Sequence, residues 1–133
     1  MRTRISLTRE GEAYRVRLTW PQSDAMVNAL ALLAEQYFSD AALTVQLGMG
    51  RDGVGVLVDK LAGDHRTTRE YVLDLRELHA VHAALTAAAT MFLISSTYFS
   101  AENFHVKLGF HRENLDALAL SLVQALSDAT SPQ

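Results

Sequence analysis

Apolar and polar side chains alternate through the opening of the chain in two short runs parted by Glu10-Gly11. Ile5 and Leu7, then Tyr14, Val16, Leu18 and Trp20, fall on one side of the alternation. Arg2, Arg4, Ser6 and Thr8, then Arg15, Arg17 and Thr19, fall on the other. Period-two alternation on both sides of a glycine turn predicts an antiparallel hairpin with one wet face. Centring the turn on Glu10-Gly11 pairs Leu7 with Tyr14, Ile5 with Val16 and Arg4 with Arg17. Like charges directly opposite on paired strands are unfavourable. The arginine face (Arg2, Arg4, Arg15, Arg17) is therefore a candidate anion- or partner-binding site. Edge protection explains the same residues, because exposed charges discourage strand-to-strand aggregation and Glu10 or Glu12 can neutralise them.

Pro21 ends strand pairing for want of an N–H. Ser23 or Asp24 is placed to cap a helix through about Phe38, whose apolar face holds Met26, Val27, Leu30, Leu33, Ala34 and Tyr37. A second hairpin is expected next. Leu43, Val45, Leu47 and Met49 alternate with polar and glycine positions, Gly50-Arg51-Asp52-Gly53 carries an Asp-Gly turn signal, and Val54, Val56 and Val58 continue the pattern. Leu57 and Leu61 fall on the opposite face of that return strand. A polar loop, Ala62–Thr68, leads to a fifth strand with Tyr71, Leu73 and Leu75. Asp74 and Glu77, three apart, form an aspartate capping box for a helix to about Ile94. Leu75, Leu78, His82, Leu85, Ala89 and Phe92 make its stripe. Ser95–Asn103 reads as loop and Phe104, Val106 and Leu108 as a sixth strand. After Gly109 comes a last helix with Leu115, Leu118, Ala119, Leu122, Val123 and Leu126 on one face.

The order ββαβββαβα lacks regular βαβ alternation and predicts an α+β fold. It implies a mostly antiparallel sheet of about six strands, with three helices packed mainly on one face. The 133 residues suit one domain, with 1–128 forming it and 129–133 a frayed tail. A chain of this size buries roughly 68% of its unfolded surface, enough for a core without staples.

Composition narrows the chemistry. With no cysteine, disulfides, thiol catalysis and zinc–thiolate sites are excluded. A net charge of −3 and a pI near 5.9 argue against nucleic acid as a partner. No stretch reaches the ~18 apolar residues that cross a bilayer; Ala83–Ile94 is too short and contains Thr86 and Thr90. Met1-Arg2-Thr3-Arg4 leads into alternation instead of the apolar run of a signal peptide, so a cytoplasmic protein without membrane contact is the expectation.

His79 and His82, three apart on a helix, can bring two imidazoles together. A third ligand would have to come from His105, His111 or Glu35, and no HExxH spacing exists. His82 lies in the apolar stripe, where a hydrogen-bonded core role fits it, so neither metal nor cofactor is expected. No serine sits in Gly-x-Ser-x-Gly. The glycine-rich Gly48–Gly55 lacks the lysine of a phosphate loop and reads as a hairpin turn.

Glu113-Asn114-Leu115-Asp116-Ala117-Leu118 resembles the start of the inhibitory helix in barstar-type ribonuclease inhibitors. In that family the acidic residue of the motif contacts the nuclease, and it corresponds to Asp116 here. The resemblance spans six residues, and acids meeting the positive end of a helix dipole produce the same pattern.

These readings converge on a non-enzymatic protein-interaction or accessory module that self-associates as a homodimer. Leu32 and Leu120, off the main faces of their helices, are its candidate contacts. An acidic partner at the arginine face is the second expectation. Two alternatives stand beside it: an immunity-type inhibitor of a partner enzyme using Asp116, and a small enzyme or ligand-binding domain with a pocket drawn from His65, His79, His82, His105 and His111. Convergence of at least three polar residues in one pocket separates the last from the others.

Overall fold

The computed structural model describes residues 2–36, 39–62, 68–94 and 112–131. Strands β1 (Ser6–Glu10) and β2 (Ala13–Leu18) are followed by helices α1 (Trp20–Gln36), α2 (Asp40–Leu47) and α3 (Arg51–Leu61). Strand β3 (Arg69–Leu73) and helices α4 (Leu75–Ile94) and α5 (Arg112–Thr130) complete the described elements. Among the described residues the fold is α+β, with a three-stranded antiparallel sheet in the order β1-β2-β3 and five helices. This corrects the expected six strands and three helices. The expected strand at Phe104–Leu108 and the loop at Ser95–Asn103 lie outside the described residues, as do Tyr37 and Phe38.

The first hairpin forms with the expected faces and a different register. Leu7 pairs with Val16, Ser6 with Arg17 and Glu10 with Ala13, so Arg4 does not oppose Arg17. The turn is centred one residue later, on Gly11-Glu12, with Gly11 at φ 65°. Tight hairpin turns demand a positive φ at the first central position, which glycine adopts without a Cβ clash. Centring on Glu10-Gly11 would have put a glutamate there. Strand β2 is central, and Val16 pairs with Tyr71 and Arg17 with Glu70 across to β3.

The expected second hairpin is instead the helix pair α2–α3. Leu43 and Leu47 are buried at i, i+4, and Val54, Leu57 and Leu61 at i, i+3, i+7, while Val45 and Val56 are 88% and 67% exposed. A strand with one buried face would have hidden Val45 with Leu43 and Leu47, and Val56 with Val54, and left Leu57 and Leu61 on the other face. Over runs this short, some positions satisfy both periods, and the exposure of Val45 and Val56 with the burial of Leu57 and Leu61 separates the two. Ser39 caps α2 by accepting from the Ala42 N–H at 3.0 Å. Gly48, left-handed at φ 79°, ends it with its N–H donated to the Thr44 carbonyl.

Helix α1 starts at a capping box of Thr19 and Gln22. The Gln22 N–H donates to Thr19 Oγ1 at 3.3 Å and the Thr19 N–H to Gln22 Oε1 at 2.9 Å. Ser23 and Asp24, the expected caps, lie inside the helix, and buried Ser23 donates to the Leu61 carbonyl at 3.0 Å. Because α1 packs against both α3 and α4, its buried arc is wider than one stripe. Leu32 joins that arc at 3% exposure and is not an outward leucine. The Asp74–Glu77 box at the start of α4 forms, at 2.8 and 3.1 Å. Helix α5 packs on β1 and α4 and stays helical to Thr130. One core joins the inner sheet face to α1–α5.

Candidate functional site

The sheet's outer face carries two of the four expected arginines. On β2, Arg15 and Arg17 point outward between Ser6 and Thr8 of β1 and Glu70 and Val72 of β3. Arg15 is held by two carboxylates: Nε and Nη2 donate to Glu10 at 3.0 and 2.8 Å, and Nη1 donates to Glu70 at 2.9 Å. The hydrogen bond from Arg15 keeps the Glu10 carboxyl below its usual range, and the bonds to Glu10 and Glu70 make Arg15 still harder to deprotonate. All three groups are solvent-exposed. The triad spends its cation locally, so Arg15 is a strand-to-strand clasp.

Arg2 and Arg4 sit elsewhere, on the extended segment that leads into β1. Buried Gln22 donates Nε2 to the carbonyls of Arg2 and Arg4 at 3.1 and 3.0 Å, and the Ile5 N–H donates to Ser121 Oγ on α5 at 2.8 Å. The segment is thus pinned to α1 on one edge and to α5 on the other. Between it and α5 runs an open groove of about 980 Å³. Arg2, Arg4 and Ser6 line one wall, and Ala117, Leu120, Gln124 and Asp128 the other. The structure therefore divides the expected arginine site: Arg2 and Arg4 face the groove, Arg15 and Arg17 the open sheet.

Asp116 is exposed on the second turn of α5 and lines neither hollow. Of the histidines, His65, His105 and His111 lie outside the described residues. His79 and His82 do come together, in an apolar cleft of about 210 Å³ between α4 and α5. Its other lining is Leu75, Leu78, Leu122, Val123 and Leu126. Burial pushes the His82 imidazole below its ordinary pKa, and the neighbouring His79 pushes the same way. Among the described residues two polar side chains converge here, one short of the three that mark a catalytic or ligand pocket. Among the described residues no group of three His, Asp or Glu could hold a metal ion.

Sequence reasoning missed two features of this region. Gln22 was legible as the fourth residue of Thr-x-x-Gln, but its side-chain amide holding the arginine segment is a tertiary contact. The cleft mouth was hidden because Leu75 and Val123, taken as buried, are 55% and 47% exposed. Among the described residues no helix is long and apolar enough to cross a membrane. Comparison with protein families, curated proteins and solved structures finds no match to this chain.

Proposed function

We propose that this chain is a non-enzymatic protein-interaction module that associates with a second copy of itself through the α4–α5 cleft. The observation that carries the reading is the cleft's lining, in which Leu75, Leu78, Leu122, Val123 and Leu126 surround His79 and His82 with no fixed charge. Depletion of charge at the centre of an apolar surface is the compositional mark of an interface core. Leu75 and Val123 stand exposed at its mouth above buried Leu78 and Leu122, an apolar surface that a second copy can cover. Leu120, exposed on another face of α5, belongs to the groove and not to this contact.

Sedimentation equilibrium at tens of micromolar tests it. The expected species is twice 14.6 kDa, reverting to 14.6 kDa in Val123→Asp. Val123 is half-exposed, so the aspartate stays wet in the monomer and is desolvated only on association. A wild-type protein that sediments at 14.6 kDa throughout overturns the reading.

A further inference from the structure

We infer that the groove between the arginine segment and α5 binds an extended acidic peptide of a partner protein. This surface goes beyond the self-association proposed above. Ala117, Leu120, Ser121, Gln124 and Asp128 recur at helical spacing and form one stripe of α5. At 100° per residue that stripe lies on the face away from Leu122, Val123 and Leu126, which line the cleft.

Three observations specify the occupant. The first is charge. Neither the Arg2 nor the Arg4 guanidinium has a hydrogen bond or ion pair among the described residues, in contrast to Arg15 on the neighbouring strand. Asp128 lines the same groove and forms no ion pair with either arginine. Two uncompensated cations on one wall are complementary to carboxylates.

The second is rigidity. Gln22 and Ser121 fix the backbone from which the arginines project, so less ordering cost falls on binding than for a loose terminus. The third is shape. The wall runs from Arg2 to Leu7 and ends in the first residues of β1, Ser6 and Leu7, and six residues at ~3.3 Å each reach at most about 20 Å. Thr3, whose backbone makes no hydrogen bond among the described residues, lies within it. The Arg2 and Arg4 carbonyls and the Ile5 N–H are held by Gln22 and Ser121, so backbone pairing of a peptide is offered at Thr3, while the flanking side chains give specificity. Leu120, exposed between Ala117 and Gln124, supplies the apolar contact for one side chain of the peptide.

The test uses the full chain and a fluorescein-labelled glutamate-rich peptide of about six residues with one central leucine, a length set by the strand rise. Fluorescence anisotropy should show saturable binding that weakens as salt is raised. Arg2→Gln with Arg4→Gln should weaken it about tenfold, the yield of two partly exposed ion pairs. Leu120→Ser should weaken it too, and Asp128→Asn should tighten it. All four positions are exposed, so these variants fold. The proposal is overturned if the wild type does not bind the peptide, or if the double arginine variant binds it equally well. Equal binding of a lysine-rich counterpart, or of a single-stranded oligonucleotide in its place, also overturns it. The arginine variants should leave the sedimentation behaviour unchanged, so a monomeric protein that still binds the peptide would refute self-association and leave the groove standing.

Discussion

Half-buried His82 sits among the leucines of the α4–α5 cleft, where little stabilises an imidazolium. Desolvation, and then the nearby His79, hold its pKa below the ordinary 6.5. The folded state therefore binds fewer protons at this residue than the unfolded chain does. Stability from this site is fully present above 6.5 and is lost as pH falls from there through the depressed folded value. Urea denaturation on both sides of 6.5 should show the midpoint falling toward acid, and His82→Gln should flatten that fall. His79→Gln should flatten it less, since charge repulsion is the smaller cause. A midpoint equally pH-dependent in wild type and His82→Gln would place the titrating group elsewhere. Single residues of this kind were partly legible. Position in the apolar stripe marked His82 for burial, but which helix would cover it was not written in the chain's periodicity.

The α2–α3 corner shows an element boundary built from one carboxylate. Asp40, the first residue of α2, reaches across to accept from the Arg51 N–H at 2.7 Å and so caps the start of α3. Arg51 in turn donates Nη2 to the Ala34 carbonyl of α1 at 3.0 Å. The contact requires glycine at position 50. A Cβ there would lie 2.6 Å from both carboxylate oxygens of Asp40, although the backbone φ of −80° suits any residue. Gly50→Ala should therefore expel the carboxylate and cost about 1–2 kcal/mol, the range for loss of a helix cap. Asp40→Ala should cost about 1 kcal/mol by the same loss. Adding Gly50→Ala to Asp40→Ala should then cost little more, since the clashing group is gone, and a double-mutant cycle by chemical denaturation reads the coupling directly. Additive costs would mean that position 50 is constrained by something other than Asp40.

The same corner explains where sequence reading stopped. Glycines at 48, 50, 53 and 55 and alternating valines imitate a hairpin. Gly53 and Gly55 each weaken a helix by about 0.5–1 kcal/mol relative to alanine, so local propensity pointed away from α3. Burial of Val54, Leu57 and Leu61 overrides it. Elements with a long period or a paired cap, such as α1, α4 and α5, were legible from spacing alone. The candidate arginines illustrate the limit: the alternation puts Arg2, Arg4, Arg15 and Arg17 on one side, yet the α5 contact at Ile5 and the carboxylates around Arg15 place them in two separate surroundings.

Across the whole molecule, α4 is the axis on which the other layers close. It packs against α1, α2, α5 and β3, and buries Ala80, Ala83, Ala84, Ala87, Ala88 and Ala89. Small side chains let neighbouring backbones approach closely, and in a cysteine-free chain no disulfide helps to unite the layers. Enlarging one of these positions separates packing from helix propensity. Leucine is nearly as good a helix former as alanine. Ala84→Leu, at a site with no exposed surface, should thus act through overpacking and cost about 1–3 kcal/mol. Ala41→Leu, on the exposed face of α2, should lie within about 0.5 kcal/mol of wild type, as surface substitutions do. Both are read as shifts in the midpoint of chemical unfolding at unchanged slope. If Ala84→Leu unfolds with wild-type midpoint, the helices around α4 have room to spare. Closure on its alanines would then not be what holds the sheet and the helical layers in one core.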